Sequence, residues 1–562
     1  MLIAGNPFAF AQKSTAPEAY KTTTISTGES IFIHANATTL VTGETLHCKL
    51  YCLNPVDRTA STISKIAYVE LIGQDKKSVL KSKLYLENGA APGDFFIPTT
   101  LKTGSYKLIA YTKWMLDNSA SNFFEMDISV INPFQPLEKS NAAEAKEENT
   151  NLANNAGNSK NLSVETDKKT YSKREKVDLK IRNTIPIKGN FSLSVRKTDD
   201  LPSNNSPDAM QFSPNRAWTP NATAALPELR GELISGTIVS KKGAKDLGNK
   251  TVALSIPGKS FAFKLVKTNR AGKFMFLLDK NPSASAAVIQ VMEENRNDYS
   301  ILLDEGITAD LSALQFRPEL QLSPVYKTTI EQRSIANQIE NAYYERKKDS
   351  LSANPATEPF FHPLEKQYVL DDYTRFPTLR ETITEVVLEM YSKKNGSKYS
   401  IHLRNNTMDP EVYGMPLVLV DGLLVQDTNE IYDYGANNIY KVSLINEPYV
   451  YGPRTFSGVA NFTTINNDYE TKATGDFIKK VEIPRPSVRK QYFNPQYTSA
   501  DTNSRIPDYR QQLLWQPEIT LRNNDNTLSF YTSDISGKFE IVLEGFSENG
   551  DPVSIKDFIE VK

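Results

Sequence analysis

Short runs of alternating apolar and polar residues, each broken by a turn signal, recur along this chain and leave few folds open. STGESIFIHANATTLVTGETLHCKLYCLNP is broken at Thr42-Gly43-Glu44. SKIAYVELIG, FFIPTTLKTGSYKLIAYTKWM and FFEMDISVINP continue the pattern, with a turn at Thr103-Gly104. Residues 27–132 therefore read as an antiparallel sandwich. In TLHCKLYCL, Leu46, Cys48, Leu50 and Cys52 share one parity and form a buried strand face. Four residues of strand span roughly 13 Å, too far for a disulfide between the two cysteines. At 562 residues the chain exceeds one core. Its 26 Tyr and 26 Phe, with many Thr, Val and Ile, favour strands over helices.

The pattern changes at several points. PLEKSNAAEAKEENTNLANNAGNSK, 136–160, has no apolar face and reads as a flexible linker. LSVETDKKTYSKREKVDLKIRN and GNFSLSVRKTDDL restart the strands, and a polar insertion runs from Pro202 to Ala225. LPELRGELISGTIVSKK opens another unit, in which Asn269-Arg270-Ala271-Gly272-Lys273 is a hairpin signal between apolar strands. Helical periodicity covers 327–349, where Ile330, Ile335, Ile339, Ala342 and Tyr343 can share a stripe. Thr378-Leu379-Arg380-Glu381 matches a capping box. In PLVLVDGLLV, 416–425, Asp421-Gly422 joins two apolar runs as a tight turn. The N-terminal MLIAGNPFAFAQK leads into Ala9-Phe10-Ala11, like a signal-peptidase site.

Charge is nearly balanced, 65 basic against 66 acidic residues, so no whole-chain field attracts nucleic acid. No apolar run reaches the roughly 20 residues of a membrane helix. His34, His47, His362 and His402 do not pair at ligand spacing. HExxH, GxSxG, Walker and GxGxxG patterns do not occur. Asp371-Asp372 reads as surface or capping acids, and Asp304, Glu305 and Asp310 lack calcium-loop spacing. No cofactor, metal or enzymatic activity is expected.

Several segments together resemble envelope proteins of Bacteroidota. GETLHCKLYCLNP, SKIAYVELI and GSYKLIAYTKWM resemble a macroglobulin-like sandwich, and LSVETDKKTYSKREKVDLKI resembles the opening of a second. LPELRGELISGTI with TNRAGKFMFLL is similar to a carboxypeptidase regulatory-like sandwich. FPTLRETITEVVLEM, MPLVLVDGLLVQD and EPYVYGPRTFSGVANFTT resemble the plug of TonB-dependent receptors. LLWQPEITL with LSFYTSDISGKFEIVLEG resembles a final macroglobulin-type sandwich. The Cys-Gly-Glu-Gln thioester of protease-trapping macroglobulins does not occur. The stretch after Ile465 is too short for a barrel, so transport by the chain itself is not expected.

The expected fold is mainly β: several Ig-like or macroglobulin-type sandwiches in series plus a small α+β plug-like domain. The expected boundaries are a signal-peptide remnant at 1–12, a macroglobulin-like sandwich at 13–135 and the linker at 136–160. A second macroglobulin-like domain follows at 161–230 and a carboxypeptidase regulatory-like sandwich at 231–323. A helical connector covers 324–370, the plug-like domain 371–470 and a C-terminal sandwich 471–562. The resemblance implies a periplasmic adaptor, peripheral to the outer membrane, that associates with an outer-membrane β-barrel or secretion-complex protein. Candidate partner-binding residues are Asp421 and Gly422 at the turn, with Tyr449, Tyr451 and Phe456 beside it; a plain structural hairpin is the alternative. A structural or glycan-binding multi-sandwich protein is the other functional expectation, motivated by the aromatic loop 491–510 with Tyr497 and Tyr509.

Overall fold

The computed structural model describes residues 28–562 apart from 120–121, 136–161, 186, 215–225, 280–283, 319, 321, 352–357, 405–412, 498–504 and 522–524. The expected signal-peptide remnant and linker lie outside the described residues. What is described is mainly β, built from sandwiches and a further five-stranded sheet that helices cover.

The first sandwich packs a three-stranded sheet (Ser30–Ala35, Thr45–Leu53, Ala90–Phe96) on a five-stranded one. The second sheet runs Thr39–Val41, Phe124–Ile131, Gly104–Tyr111, Ile66–Ile72, Ser78–Tyr85. Leu46, Cys48, Leu50 and Cys52 face its core beside Leu71, Leu108 and Ile128, as their shared parity predicts. Both cysteines are free and buried, and burial pushes the Cys48 thiol up to about 12.

A second sandwich takes strands from two distant parts of the chain. Gly189–Lys197 lies between Gly537–Ser547 and Gln512–Ile519, while Lys176–Asn183 lies between Asp525–Tyr531 and Leu162–Thr166. The segments expected as separate sandwiches, 161–230 and 471–562, thus share one core around Leu179, Phe191, Phe530 and Leu543. Residues 162–197 supply too few strands to close a sandwich alone. The described part of the 202–225 insertion docks on the first sandwich. Asn204 N–H donates to Thr38 Oγ1 at 3.0 Å, and Phe212 packs 5.4 Å from Phe32.

The third sandwich pairs Lys273–Leu278, Glu232–Ser240 and Tyr299–Leu303 with a sheet of Ala262–Lys267, Thr251–Ile256, Ala286–Val291 and Ile478–Glu482. Its last strand comes from beyond the expected boundary. The Asn269-to-Lys273 turn forms, with Gly272 N–H donating to the Asn269 carbonyl at 2.9 Å. Its two flanking strands nevertheless belong to different sheets, so it is a corner and not a hairpin.

Next comes a mixed five-stranded sheet in the order Lys366–Val369, Ile439–Ile445, Val459–Thr464, Leu417–Val420, Leu423–Leu424. Leu417–Val420 and Val459–Thr464 run parallel. Helices Leu379–Glu385 and Asn429–Tyr434 cover it, and Thr378 and Glu381 form the expected capping box. This α+β unit and the third sandwich share one core through Ile256, Phe276, Val420 and Phe462. The 16-residue helix Lys327–Ala342 departs from the expected apolar stripe. It buries Arg333, Ser334, Ala336 and Asn337, while Ile335 is 54 % exposed.

Candidate functional site

The five candidate residues gather where the mixed sheet meets the third sandwich. Asp421 and Gly422 have φ of +50° and +83°, the left-handed pair that a two-residue type I′ turn requires. The turn points into the protein. Asp421 is buried; its carboxylate accepts from Thr464 N–H at 2.8 Å, Thr464 Oγ1 at 2.6 Å and Tyr469 N–H at 3.3 Å. Burial pushes this carboxyl above its ordinary value, against those three bonds. The Asp421 carbonyl accepts from Gly258 N–H of the third sandwich at 3.0 Å. A Cβ on Gly422 would lie 2.1 Å from Phe261 Cγ.

The three aromatics reach the same seam. Tyr449 OH donates to the Phe360 carbonyl at 3.0 Å, and Tyr451 OH donates to the Phe263 carbonyl. The Tyr451 ring lies 4.1 Å from Phe360 and 5.6 Å from Phe263. Phe456 is buried with Phe263, Leu417 and Leu419. The structure brings all five residues together, but as an internal joint: their polar atoms are used within the chain. Within the 449–456 hairpin the Val450 side chain is exposed, at 70 %, and so is that of Thr455.

Other candidates are also engaged internally. Asp371 is paired with Arg375 at 2.6 Å. In the aromatic loop, Tyr492 OH donates to Asp94 at 3.1 Å and Tyr497 OH donates to Asp508 at 2.7 Å. Tyr509 is 37 % exposed. Among the described residues no cluster of three His, Cys, Asp or Glu is placed to hold a metal.

Two buried polar constellations escaped sequence reasoning. At one, Arg333 from the Lys327–Ala342 helix binds Glu44 (Nε to Oε1, 2.9 Å) and Asp199 (3.1 Å), and Arg196 binds Glu44 at 3.0 Å. Burial alone would raise the Glu44 carboxyl; the two guanidiniums overcome it and hold it at about 2. The other lies where the first and second sandwiches meet. His34 Nδ1 is 2.7 Å from Ser192 Oγ, Tyr51 OH is 2.9 Å from the same oxygen, and Trp515 stacks over His47 at 5.8 Å. Nearby Glu544 accepts from Ala209 N–H at 2.8 Å and Ser554 Oγ at 3.0 Å. Burial pushes its carboxyl up to about 8 and holds His34 and His47 down at about 3 and about 4. Both constellations fasten one unit to another. Each joins residues more than 100 positions apart, so no local motif marks them.

No family model matches the chain. No curated protein matches it either. Among solved structures, Escherichia coli alpha-2-macroglobulin activated by porcine elastase aligns over 95 % of this chain and 44 % of its own, with 9 % identity and a TM-score of 0.25. The native conformation of the E. coli protein aligns over 96 % and 40 %, with 10 % identity and a TM-score of 0.25. Beta-glucosidase from Listeria innocua in complex with glucose aligns over 19 % and 16 %, with 15 % identity and a TM-score of 0.14. The chain spans less than half the length of these macroglobulins. Similarity at these scores establishes neither a shared fold nor a shared activity.

Proposed function

We propose that the chain is a non-enzymatic adaptor of the bacterial envelope, periplasmic and peripheral to the outer membrane, that associates with an outer-membrane β-barrel or a secretion complex. The sequence resemblance to macroglobulin-like, carboxypeptidase regulatory-like and plug-like units motivates this reading. One structural observation carries it. The plug-like sheet is locked to the third sandwich through the buried Asp421-Gly422 turn and a shared core, so the two form one rigid body. A rigid body of sheets with open strand edges is suited to holding a partner, because little order remains to be imposed on binding. Since the 371–470 unit shares its core with 231–303, the partner is sought with the full chain and not with an excised plug-like segment.

The test is affinity purification of the chain from its native host, tagged after Lys562, from mildly solubilised membranes. A stoichiometric outer-membrane barrel or translocon component is the expected outcome. A monomer with nothing bound overturns the adaptor reading.

A further inference from the structure

Among the described residues, the backbone register of the third sandwich leaves two strand edges open on the same side. Ile238 N–H donates to the Gly272 carbonyl at 2.9 Å, which sets the parity of the Lys273–Leu278 strand. Residues of an antiparallel strand turn their backbone groups alternately toward one neighbour and away from it. Phe274, Phe276 and Leu278 therefore bond to Glu232–Ser240, and Met275 and Leu277 turn their N–H and C=O outward. This strand is last in its sheet. The same parity argument applies to Ala262–Lys267. Thr268 N–H donates to the Lys250 carbonyl at 2.9 Å, so Phe263, Leu265 and Lys267 turn outward. That strand also ends its sheet, but Tyr451 OH already covers the Phe263 carbonyl. The Lys273–Leu278 edge is the freer of the two.

Because the turn between these strands is a corner, the two edges flank an open cleft. Leu265, Val266, Phe274 and Met275 line it, and Gly452 and Pro453 of the 449–456 hairpin lie at its border. Met275 is 43 % exposed. Lys267 and Lys273 stand against a single acid, Asp304, among the lining residues. Outward backbone groups in register are satisfied best by another extended backbone, and two lysines favour an acidic one.

We propose that this cleft accepts an extended segment of a partner protein as an added strand on Lys273–Leu278. The segment carries apolar side chains at alternate positions toward Val266 and Phe274, and an acidic side chain beside Lys267 and Lys273. The proposal deepens the adaptor reading, on which it rests for the partner's origin.

The full chain is panned against a phage-displayed library of random peptides, and an enriched peptide is synthesised for binding and amide-exchange measurements. Expected are peptides alternating apolar residues with Asp or Glu, whose binding protects the Met275 and Leu277 amides. Met275→Pro removes an outward N–H and keeps the inward ladder. It should weaken binding by at least about tenfold with the urea midpoint retained. If that variant does not fold, Lys273→Glu replaces it and should weaken binding by about tenfold. Failure to enrich any peptide, equal binding to the variants, or protection elsewhere overturns the proposal. Concentration-dependent dimerisation abolished by the variant assigns the edge to a second copy and overturns it as well. The two readings separate cleanly. A barrel that still co-purifies with Met275→Pro leaves the adaptor reading standing and removes the cleft from it. Peptide binding without any envelope partner does the reverse.

Discussion

Gly422 has no room for a side chain, and this gives a direct measure of the joint between the third sandwich and the mixed sheet. Gly422→Ala adds a methyl 2.1 Å from Phe261 Cγ at a φ of +83°. The expected loss is about 2–4 kcal/mol in urea unfolding, from overpacking and left-handed strain together. Gly396→Ala is the control: its φ is +63° with nothing within 4 Å of the added Cβ, so only strain of about 1 kcal/mol is expected. Glu544 sets a pH dependence at the other seam. Its folded value of about 8 lies above the ordinary 4.5, so the protonated acid stabilises the fold. That contribution is full below 4.5 and is lost as pH rises toward 8. His34 and His47 act oppositely. Held at about 3 and about 4 from 6.5, they contribute stability above 6.5 that is lost as pH falls through those values. These three groups place the optimum near 6.5. Between pH 6.5 and 8 the wild type should lose about 2 kcal/mol through Glu544. Glu544→Gln should flatten that limb in urea midpoints taken at both pH values; an unchanged slope would remove Glu544 as its cause. Asp421-Gly422 was legible from two letters between apolar runs. Glu544 was not, because nothing within LEGFSENG marks a carboxyl that a distant sandwich buries.

Secondary elements were legible wherever local chemistry decides them, and less so where tertiary pairing does. The capping box at Thr378 and Glu381 needs only its own four residues, and it forms. The Lys327–Ala342 helix was visible from its periodicity, but the face it buries was not. Apolar residues on several sides allowed an Ile-rich stripe, whereas the pairing that orients the helix is Arg333 with Glu44, 289 positions away. Arg333→Ala should therefore cost more than any exposed isoleucine of this helix. It leaves the buried Glu44 with Arg196 as its remaining guanidinium partner, and breaking a buried pair from one side costs about 3–5 kcal/mol. Ile335→Ala, at 54 % exposure, should cost under about 1 kcal/mol. Amide exchange across residues 327–342 distinguishes the two: faster exchange in Arg333→Ala and unchanged exchange in Ile335→Ala. Equal effects would show that the apolar side chains hold the helix. The corner at Asn269–Lys273 teaches the same point for strands. Its turn chemistry was legible, but which sheet each flanking strand joins depends on Glu232–Ser240 and Thr251–Ile256, which no turn residue specifies.

At the scale of the molecule, alternation identifies strands but not their neighbours. A period of two says which side chains share a face, and many strands satisfy the same face. The sequence pattern therefore supported sandwiches in series, and two of the expected units proved to be halves of one. Gly189–Lys197 is the centre of that arrangement, pairing with Gly537–Ser547 on one side and Gln512–Ile519 on the other. This makes a sharp prediction for a chain truncated after residue 504. Four strands of the second sandwich are removed: Gln512–Ile519, Asp525–Tyr531, Gly537–Ser547 and Pro552–Val561. What remains, from Leu162 to Lys197, exposes Leu179, Phe191, Leu193 and Val195, all fully buried in the intact chain. Limited proteolysis should cut the truncated chain within 162–197 under conditions that leave this segment of the intact chain uncut. Residues 232–482, whose sheets include no strand after Glu482 apart from the short Lys490–Gln491 pairing with Ser350–Leu351, should stay resistant. The first sandwich keeps its own core of Leu46, Leu71, Leu108 and Ile128 and should also resist. Two independent sandwiches in series would instead leave 162–197 protected after truncation, so the protease pattern decides between one closed unit and two.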